Sequence, residues 1–340
     1  MAGEQTVLVT GGSGYIGGWC VAGLLERGYR VRATIRSLAR EQIVRSAIAT
    51  VADPADRLSF HAANLTSDEG WDAAAGGCEF VLHVASPLGV PEPRDPDDLI
   101  GPARDGALRA LKAAVKAGAK RVVMTSSVAA TGGAYNAGDG VFDESNWTNP
   151  DEPIGGYAKS KTLAERAAWD FMGASGGQTT LATINPALVL GPVMSEDFSG
   201  SVQVVQRLLT GNVPGLPRLG FNVVDVRDVA DLHIAAMTDP KAAGQRFIAA
   251  SDYLWMEEMA AILRRRLGEG AARVPRRKFP NFAVRLAALF DADLRTVTPG
   301  LGRRREFSSA KARDMLGWRP RAGEETVADC AQSLIAHGLA

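Results

Sequence analysis

The chain has 340 residues, of which 46% are hydrophobic and 22% are charged, and its mean hydropathy is −0.04. This length allows one large domain or two modest domains with a sizeable core. The 38 basic side chains balance the 38 acidic ones, so no long-range field favours a nucleic acid as partner.

Cysteine usage and the chain start indicate the compartment. The chain has three cysteines, Cys20, Cys78 and Cys330, and no two of them are close in sequence. An odd number without short spacings argues against a disulfide framework or a zinc site. The first five residues leave no room for a signal peptide, and no apolar run reaches transmembrane length. We therefore expect a cytoplasmic protein that contacts no membrane and holds no metal.

The first half of the chain alternates short apolar runs with helix-like segments. In chain order, the pattern predicts strand Thr6–Thr10, helix Ile16–Arg27, strand Arg30–Arg36, helix Ala39–Thr50, strands Leu58–Ala62 and Phe80–Val84, helix Gly106–Ala117, and strands Arg121–Thr125 and Leu181–Ile184. Repeated βαβ units predict an α/β fold, a doubly wound parallel sheet of the Rossmann type with right-handed crossovers.

In the second half, glycine and proline interrupt the alternation after about residue 191. The segment Asn222 to Met237 is predicted to form a strand and a helix that return to the sheet, and the remainder is mainly helical. The predicted division is a main domain of residues 1–190 with 218–248, and a smaller, mainly helical lobe of residues 191–217 and 249–340.

A glycine-rich turn follows the first predicted strand, with Gly11, Gly14 and Gly17 in the spacing G-x-x-G-x-x-G. Such a turn lets the backbone approach a pyrophosphate, whose charge faces the helix N-terminus. The main domain is therefore predicted to bind a dinucleotide and the lobe to bind a substrate; the alternative is a glycine turn that binds nothing. The expected contacts are Gly11, Ser13, Gly14, Tyr15, Ile16 and Gly17.

The end of the second predicted strand indicates which coenzyme binds. NAD sites usually carry an acid there to hold the ribose hydroxyl, whereas this chain has Arg36, then Ser37, and Arg40 one helical turn later. A guanidinium binds a 2′-phosphate through charge-assisted hydrogen bonds. The pattern favours NADP(H); the alternative for Arg36 is a surface arginine at a strand end.

Tyr157 and Lys161 form a candidate catalytic pair. A tyrosine hydroxyl has a reference pKa near 10 and is a poor acid–base group unless its phenolate is stabilised. A lysine four residues later on a helix lies on the same face and can supply that positive potential. The alternative is an accidental Y-x-x-x-K on a solvated helix.

The strand Arg121–Thr125 is followed by Ser126 and Ser127, at the sheet edge where a doubly wound fold binds its ligands. Ser127 is the preferred partner of a substrate carbonyl. Ser126 is expected to point to the opposite side of the strand; because strand ends are irregular, it is the alternative partner.

These motifs resemble the extended short-chain dehydrogenase/reductase family. The likeness is to the branch of dihydroflavonol 4-reductases, anthocyanidin reductases, cinnamoyl-CoA reductases and related microbial aldehyde/ketone reductases. It rests on ordered matches along nearly the whole chain: Thr10–Gly17, Val31–Arg36, His83–Pro87, Thr125–Ser127, Tyr157–Trp169, Asn185–Pro186, Gly191–Pro192, Val224–Asp231 and Leu316–Pro320.

The resemblance implies roles for individual residues. Tyr157 would protonate the substrate oxygen as NADPH delivers hydride, Lys161 would bind the nicotinamide ribose and lower the Tyr157 pKa, and Ser127 would polarise the carbonyl. Asn64 stands where relatives usually have aspartate, so its adenine contact is expected to be altered rather than lost. Further implied coenzyme contacts are Asn64, Leu65, Val84, Ala85, Ser86, Pro186 and Leu188.

Other titratable residues are interpreted as structural. His83 lies in a buried-looking strand and is expected to be a hydrogen-bonded core residue, and the stretch Glu92 to Asp98 a solvated loop. Three arginine clusters, at 264–266, 276–278 and 303–305, are expected to be hydrated helix faces; alternatively, one receives the phosphates of a coenzyme A thioester. Plant cinnamoyl-CoA reductases typically carry Asn-Trp-Tyr-Cys-Tyr where this chain has Pro153–Tyr157, which disfavours that alternative.

We therefore predict an NADPH-dependent carbonyl reductase that converts an aldehyde or a ketone to an alcohol, acting as a monomer or homodimer on a small molecule. The enzymatic alternatives are a cinnamoyl-CoA-like acyl-CoA reductase, a hydroxysteroid-type dehydrogenase and a nucleotide-sugar epimerase. The non-enzymatic alternative is an NADP-binding redox sensor. The loops Leu88–Asp98, Thr131–Pro153 and Val193–Pro217 are expected to shape the pocket, so fold-level analogy does not identify the substrate.

Overall fold

A computed structural model of the chain describes residues 5–87, 96–132, 139–290 and 298–340. The strands are β1 Thr6–Thr10, β2 Arg30–Ile35, β3 Leu58–Ala62, β4 Phe80–His83, β5 Arg121–Thr125, β6 Gly140–Phe142, β7 Thr180–Pro186, β8 Leu188–Leu190, β9 Leu216–Pro217, β10 Gly220–Asp225, β11 Gln245–Ala249, β12 Tyr253–Trp255, β13 Lys278–Phe279 and β14 Arg305–Phe307. The helices are α1 Tyr15–Glu26, α2 Glu41–Ala49, α3 Trp71–Ala75, α4 Ile100–Lys116, α5 Gly156–Ser175, α6 Val202–Thr210, α7 Val226–Thr238, α8 Met256–Leu267, α9 Asn281–Ala287, α10 Ala310–Leu316 and α11 Gly323–Ala336. The stretch Glu92 to Asp98, predicted to be a solvated loop, lies largely outside the described residues. Part of the loop Thr131–Pro153 lies outside them as well.

Seven strands form the main sheet, in the order β11-β7-β5-β4-β1-β2-β3. Every pair in this sheet is parallel. The predicted doubly wound α/β fold is therefore confirmed. The strand order changes direction at β1, so the helices that follow β1 and β4 lie on opposite faces of the sheet. A doubly wound sheet binds its ligands at the carboxyl edge beside such a point.

Side chains alternate between the two faces of the sheet and build a separate core on each. On β1, Val7 and Val9 belong to the larger core, whereas Leu8 belongs to the smaller one. This alternation follows from the two-residue period of a strand. Helices α1 and α7 cover the first face, and α3, α4 and α5 cover the second.

The segment Asn222 to Met237 corrects one prediction. Its strand, β10, pairs with β8 and β12 in a separate three-stranded sheet, and it is β11 that joins the main sheet. Val223 and Val224 are fully buried, so their apolar pattern fits either sheet equally well. Helix α7 does pack on the main sheet, as predicted, and it also contacts α1.

Helix α4 begins at Ile100, six residues before its predicted start at Gly106. Gly106 lies inside this helix, at a position where any Cβ would be 2.7 Å from the Leu65 Cβ. The glycine thus lets α4 approach the loop that follows β3. The segment predicted as one helix from Ala39 to Thr50 is a short 3-10 turn, Leu38–Arg40, followed by α2.

The three-stranded sheet contains β8 and β10, from the predicted main domain, and β12, from the predicted lobe. That division into a main domain and a lobe stays a prediction. Within the described part of the chain, none of the helices combines the length and the apolar character needed to cross a bilayer.

Candidate active site

Thr10, at the end of β1, connects the two strands at the crevice. Its Oγ1 accepts hydrogen bonds from the backbone amides of Val84, at 3.1 Å, and Ala85, at 3.0 Å, and lies 2.9 Å from the His83 Nδ1. Since the hydroxyl has one proton of its own, that proton is donated to the imidazole. Burial, with a smaller effect of the Lys161 charge, lowers the pKa of His83 to about 3. His83 is therefore a neutral core residue, as predicted.

The glycine turn is held close to the start of α1. Gly11 has φ +69°, and the Gly14 amide donates to the Gly11 carbonyl at 2.9 Å. A Cβ on Gly17 would lie 2.2 Å from the same carbonyl oxygen. The sequence places glycine here because the helix and the turn are in backbone contact.

The first turn of α1 is suited to an anion. Its N-cap, Gly14, offers no side-chain cap, and the first turn contains no acidic residue. The amides at this helix end therefore remain available, and the helix dipole favours negative charge there. Of the other predicted contacts, Ser13 is half-buried beside the turn and Ile16 packs against the larger core.

Tyr15 lies at the turn, but its side chain points to the segment that begins at Gly191. The residue is buried, and its hydroxyl donates to the Gly191 carbonyl at 2.7 Å. Trp19, one turn later, donates from its indole nitrogen to the Pro192 carbonyl at 3.0 Å. Two side chains of α1 thus bind the segment that begins at Gly191. A phosphate contact of Tyr15 would therefore involve its backbone amide.

Arg36 follows β2 directly, and its side chain is exposed. It makes no hydrogen bond or ion pair with the residues that the structure describes. Arg40, by contrast, forms an ion pair with Asp197. Of the two arginines expected near a 2′-phosphate, Arg36 is therefore unpaired among the described residues and Arg40 is ion-paired. The sequence analysis did not predict the role of Asp197.

The predicted adenine contacts shape the loop after β3. The Asn64 side-chain oxygen accepts a hydrogen bond from the Thr66 amide at 3.2 Å, so this oxygen stabilises the turn that Asn64 itself belongs to. Leu65 packs against α4 at Gly106, and its carbonyl accepts a hydrogen bond from Arg109 at 2.8 Å.

Residues of three further strand ends line the same edge. Val84, Ala85 and Ser86 follow β4 and are half-buried. A Cβ on Gly11 would lie 2.9 Å from the Ala85 Cα, so the loops after β1 and β4 are in contact. Pro186 ends β7 in a buried position, and Leu188 begins β8 half-buried.

Ser127 and Tyr157 meet at this edge. Tyr157 lies in the first turn of α5, within hydrogen-bonding reach of the Ser127 side chain. The Ser127 Oγ also accepts the Ala129 amide at 3.1 Å. Burial raises the pKa of Tyr157, and the contact with Ser127 opposes this shift. The net direction is opposite to the one the resemblance implies, because burial disfavours the charged phenolate.

Lys161 is one helical turn further along α5 and is 6% exposed. Burial lowers the pKa of its ammonium to about 8, and the Glu165 carboxylate acts in the opposite direction. Among the described residues, Lys161 has no hydrogen-bond acceptor. A buried ammonium with free donors suits the hydroxyls of a ribose, so the lysine fits the predicted coenzyme.

Ser126 faces away from this cluster, as expected from strand alternation. Its Oγ donates to the Glu165 Oε2 at 2.5 Å. Glu165 and its partner Arg246 were not identified in the sequence, although Glu165 is four residues after Lys161 and shares its helix face. No group of metal-ligating side chains occurs in the described ranges.

The arginine clusters differ from the expectation that all are helix faces. Residues 264–266 end α8, where Arg265 and Arg266 pair with Glu324. Residues 276–278 lead into β13, and 303–305 lead into β14. In these two, Lys278 pairs with Glu257 and Arg304 with Glu306.

Comparison with known proteins identifies the family of the chain. A family model described as the NAD dependent epimerase/dehydratase family matches residues 7–250. The chain belongs to this family. The match confirms the extended short-chain dehydrogenase/reductase assignment made from the motifs.

Similar members of this family are reductases. Cinnamoyl-CoA reductase 2 of Arabidopsis thaliana is 36% identical over 263 residues, which cover 76% of each chain. The anthocyanidin reductase ((2S)-flavan-3-ol-forming) of Vitis vinifera is 34% identical over 282 residues, covering 78% of this chain and 81% of that protein. The crystal structure of yeast methylglyoxal/isovaleraldehyde reductase Gre2 complexed with NADPH superposes with a TM-score of 0.79 at 25% identity, covering 99% of this chain and 100% of that one. The chain is an NAD(P)-dependent oxidoreductase.

The contact between Gly17 and Gly11 predicts the effect of one methyl group. In Gly17→Ala, the new Cβ forces the turn away from α1, which we expect to cost about 1–3 kcal/mol and to weaken dinucleotide binding. The measurements are the melting temperature and a fluorescence titration with NADPH. Gly173→Ala in α5, where a Cβ meets nothing within 4 Å, is the matched control; equal NADPH affinity in the two variants would contradict the prediction.

Proposed function

We propose that this chain is an NADPH-dependent carbonyl reductase that converts an aldehyde or a ketone to an alcohol. The observation that carries the proposal is the contact between the Tyr157 and Ser127 side chains, with the buried Lys161 one helical turn after Tyr157 on α5. These groups lie at the sheet edge that also holds the glycine turn. A weak acid, a hydrogen-bond donor and a positive charge are what the reduction of a carbonyl requires.

The residues present fit the coenzyme at both ends. The uncapped first turn of α1 suits the pyrophosphate, and the unpaired guanidinium of Arg36 suits a 2′-phosphate. Lys161 suits the nicotinamide ribose. The NADPH complex of the similar reductase Gre2 supports this coenzyme.

When bound, NADPH supplies the hydride that reduces the carbonyl carbon. Tyr157 gives the proton that the oxygen requires, and its raised pKa keeps it a phenol, the form that donates, at neutral pH. Ser127 accepts the Ala129 amide through a lone pair and keeps its own proton. This proton faces the Tyr157 oxygen in the structure, and we propose that it turns to the carbonyl oxygen when a substrate binds. Lys161 keeps positive charge near the phenol and holds the ribose.

Removing the Tyr157 hydroxyl tests the proton donor. In Tyr157→Phe, kcat/KM for a carbonyl substrate is expected to fall about 10²- to 10⁴-fold, while NADPH binding is retained. The assay is NADPH absorbance with a panel of aldehydes and ketones. Tyr253→Phe, which removes a hydroxyl bonded to the Arg303 carbonyl, is the control. Unchanged turnover in Tyr157→Phe would reject the assignment.

Arg36→Ala tests the coenzyme preference. Because a hydrogen bond to a charged group contributes about 1.5–3 kcal/mol, the variant is expected to bind NADPH at least about tenfold more weakly and NADH almost unchanged. Both dissociation constants are measured by fluorescence. Arg36→Lys, which keeps the charge, should lose less affinity for NADPH. Equal losses for both coenzymes would contradict a phosphate contact.

The pKa of Lys161 predicts the alkaline side of the pH profile. The charged form exists below a pKa of about 8, so kcat/KM is expected to fall as the pH rises through that value. Tyr157 stays protonated there, because its own pKa is raised. The Lys161→Arg variant keeps its charge at high pH and should lack this decline; a decline at the same pH in that variant would assign it to another group.

A second candidate function is the reduction of a coenzyme A thioester to an aldehyde and free thiol. The identity of 36% to cinnamoyl-CoA reductase 2 favours it, whereas the Pro153–Tyr157 segment and the paired arginine clusters do not. Saturable NADPH oxidation with release of free coenzyme A would support this candidate. Turnover of simple aldehydes alone would exclude it.

A further inference from the structure

Glu165 is a buried carboxylate beneath the candidate active site. It lies on α5, one turn after Lys161 and two turns after Tyr157, and it is 0% exposed. A charged group in this position requires several partners. Its carboxylate accepts hydrogen bonds from Ser126 Oγ at 2.5 Å, Arg246 Nε at 2.7 Å, Asn185 Nδ2 at 2.8 Å and Thr183 Oγ1 at 2.9 Å.

Arg246, from the edge strand β11, is the counter-ion and is 8% exposed. Its other donors bond the carbonyls of Glu144, at 2.6 Å, and Asn146, at 2.9 Å. The guanidinium also stacks on the Trp147 ring, 3.7 Å from its centre. The ion pair is therefore fixed on all sides, and the carboxylate has little freedom to move.

Two partners of Glu165 connect it to Ser127. Ser126 precedes Ser127 in the chain, and the amide of Asn185 donates to the Ser127 carbonyl at 3.1 Å as well as to Glu165. The backbone of Ser127 is thus held from both directions by groups that the carboxylate orients. Glu165 also lies four residues after Lys161 on α5, on the same helix face, and both side chains are buried. Its negative charge therefore acts on the Lys161 ammonium.

We propose that the Glu165–Arg246 ion pair positions the reductase site, fixing Ser127 through Ser126 and Asn185 and placing a buried negative charge one helical turn from Lys161. The inference rests on the proposed function. Glu165 touches no reacting atom and acts through its neighbours, so it is a positioning residue.

The charges around Lys161 support this role. Burial lowers the pKa of Lys161, and Glu165 is the group that raises it. His83, which faces the lysine from β4, is neutral because its own pKa is lowered to about 3. Tyr157, on the same helix, is a phenol because its pKa is raised. Arg246 is the other charged group here, and it pairs directly with Glu165.

The test is Glu165→Gln in the full chain, which keeps the shape and removes the charge. The alkaline decline of kcat/KM is expected to move down by roughly one pH unit, the size of shift that a nearby opposite charge produces. The pH dependence of NADPH binding, followed by fluorescence, should move in parallel. This second readout needs no substrate, so it tests the inference even if no carbonyl is turned over, the result that would reject the proposed function.

Three further variants complete the design. Glu79→Gln removes a carboxylate that pairs with Lys120 and should leave both profiles in place. Glu165→Asp, which restores the charge, should return the decline toward its original pH. Ser126→Ala is expected to lower kcat without moving the decline, because both buried charges remain.

Glu165→Gln leaves the Arg246 charge buried without its partner and can prevent folding. In that event the double variant Glu165→Gln/Arg246→Gln, which removes both charges, is measured, and the decline is still expected at lower pH. If neither folded variant moves the decline in turnover or in NADPH binding, the ion pair only fills the core and the inference is overturned.

Discussion

The parallel register of the main sheet is the constraint on which the candidate site depends. Parallel strands end at one edge, so the loops after β1, β2, β4, β5 and β7 meet there although their residues are far apart in sequence. Thr10 then ties β1 to β4 through a single hydroxyl with three partners. The helix α5, packed on the second face of the sheet, brings Tyr157 and Lys161 to Ser127.

Burial and charge act against each other at this edge. The sheet and its helices exclude water, which disfavours both the phenolate of Tyr157 and the ammonium of Lys161. The first effect keeps a proton on Tyr157, the proposed donor, whereas the second removes positive charge that the proposed mechanism requires. Glu165 is the nearby group that counteracts the second effect, and Arg246 prevents the carboxylate from remaining an unpaired charge.

The local features were predictable because they have local causes. The strands β1, β3 and β5 lie where the apolar runs and glycine stops indicate, and the spacing of Tyr157 and Lys161 defines their shared helix face. The sheet that receives β10 was not predictable, since a fully buried strand has the same pattern in either sheet. Glu165 and Asp197 were missed because a charged residue on a helix or loop resembles a solvated one until its distant partner is known. The catalytic roles stay predictions.

The hydrogen bonds from Tyr15 and Trp19 to the carbonyls of Gly191 and Pro192 have a mechanical consequence. They anchor the start of the loop 191–217 to the helix whose N-terminus faces the candidate pyrophosphate site. A displacement of α1 would therefore move the first residues of this loop with it. The two aromatic side chains of α1 thus couple the glycine turn to a loop that begins 174 residues later in the chain than Gly17.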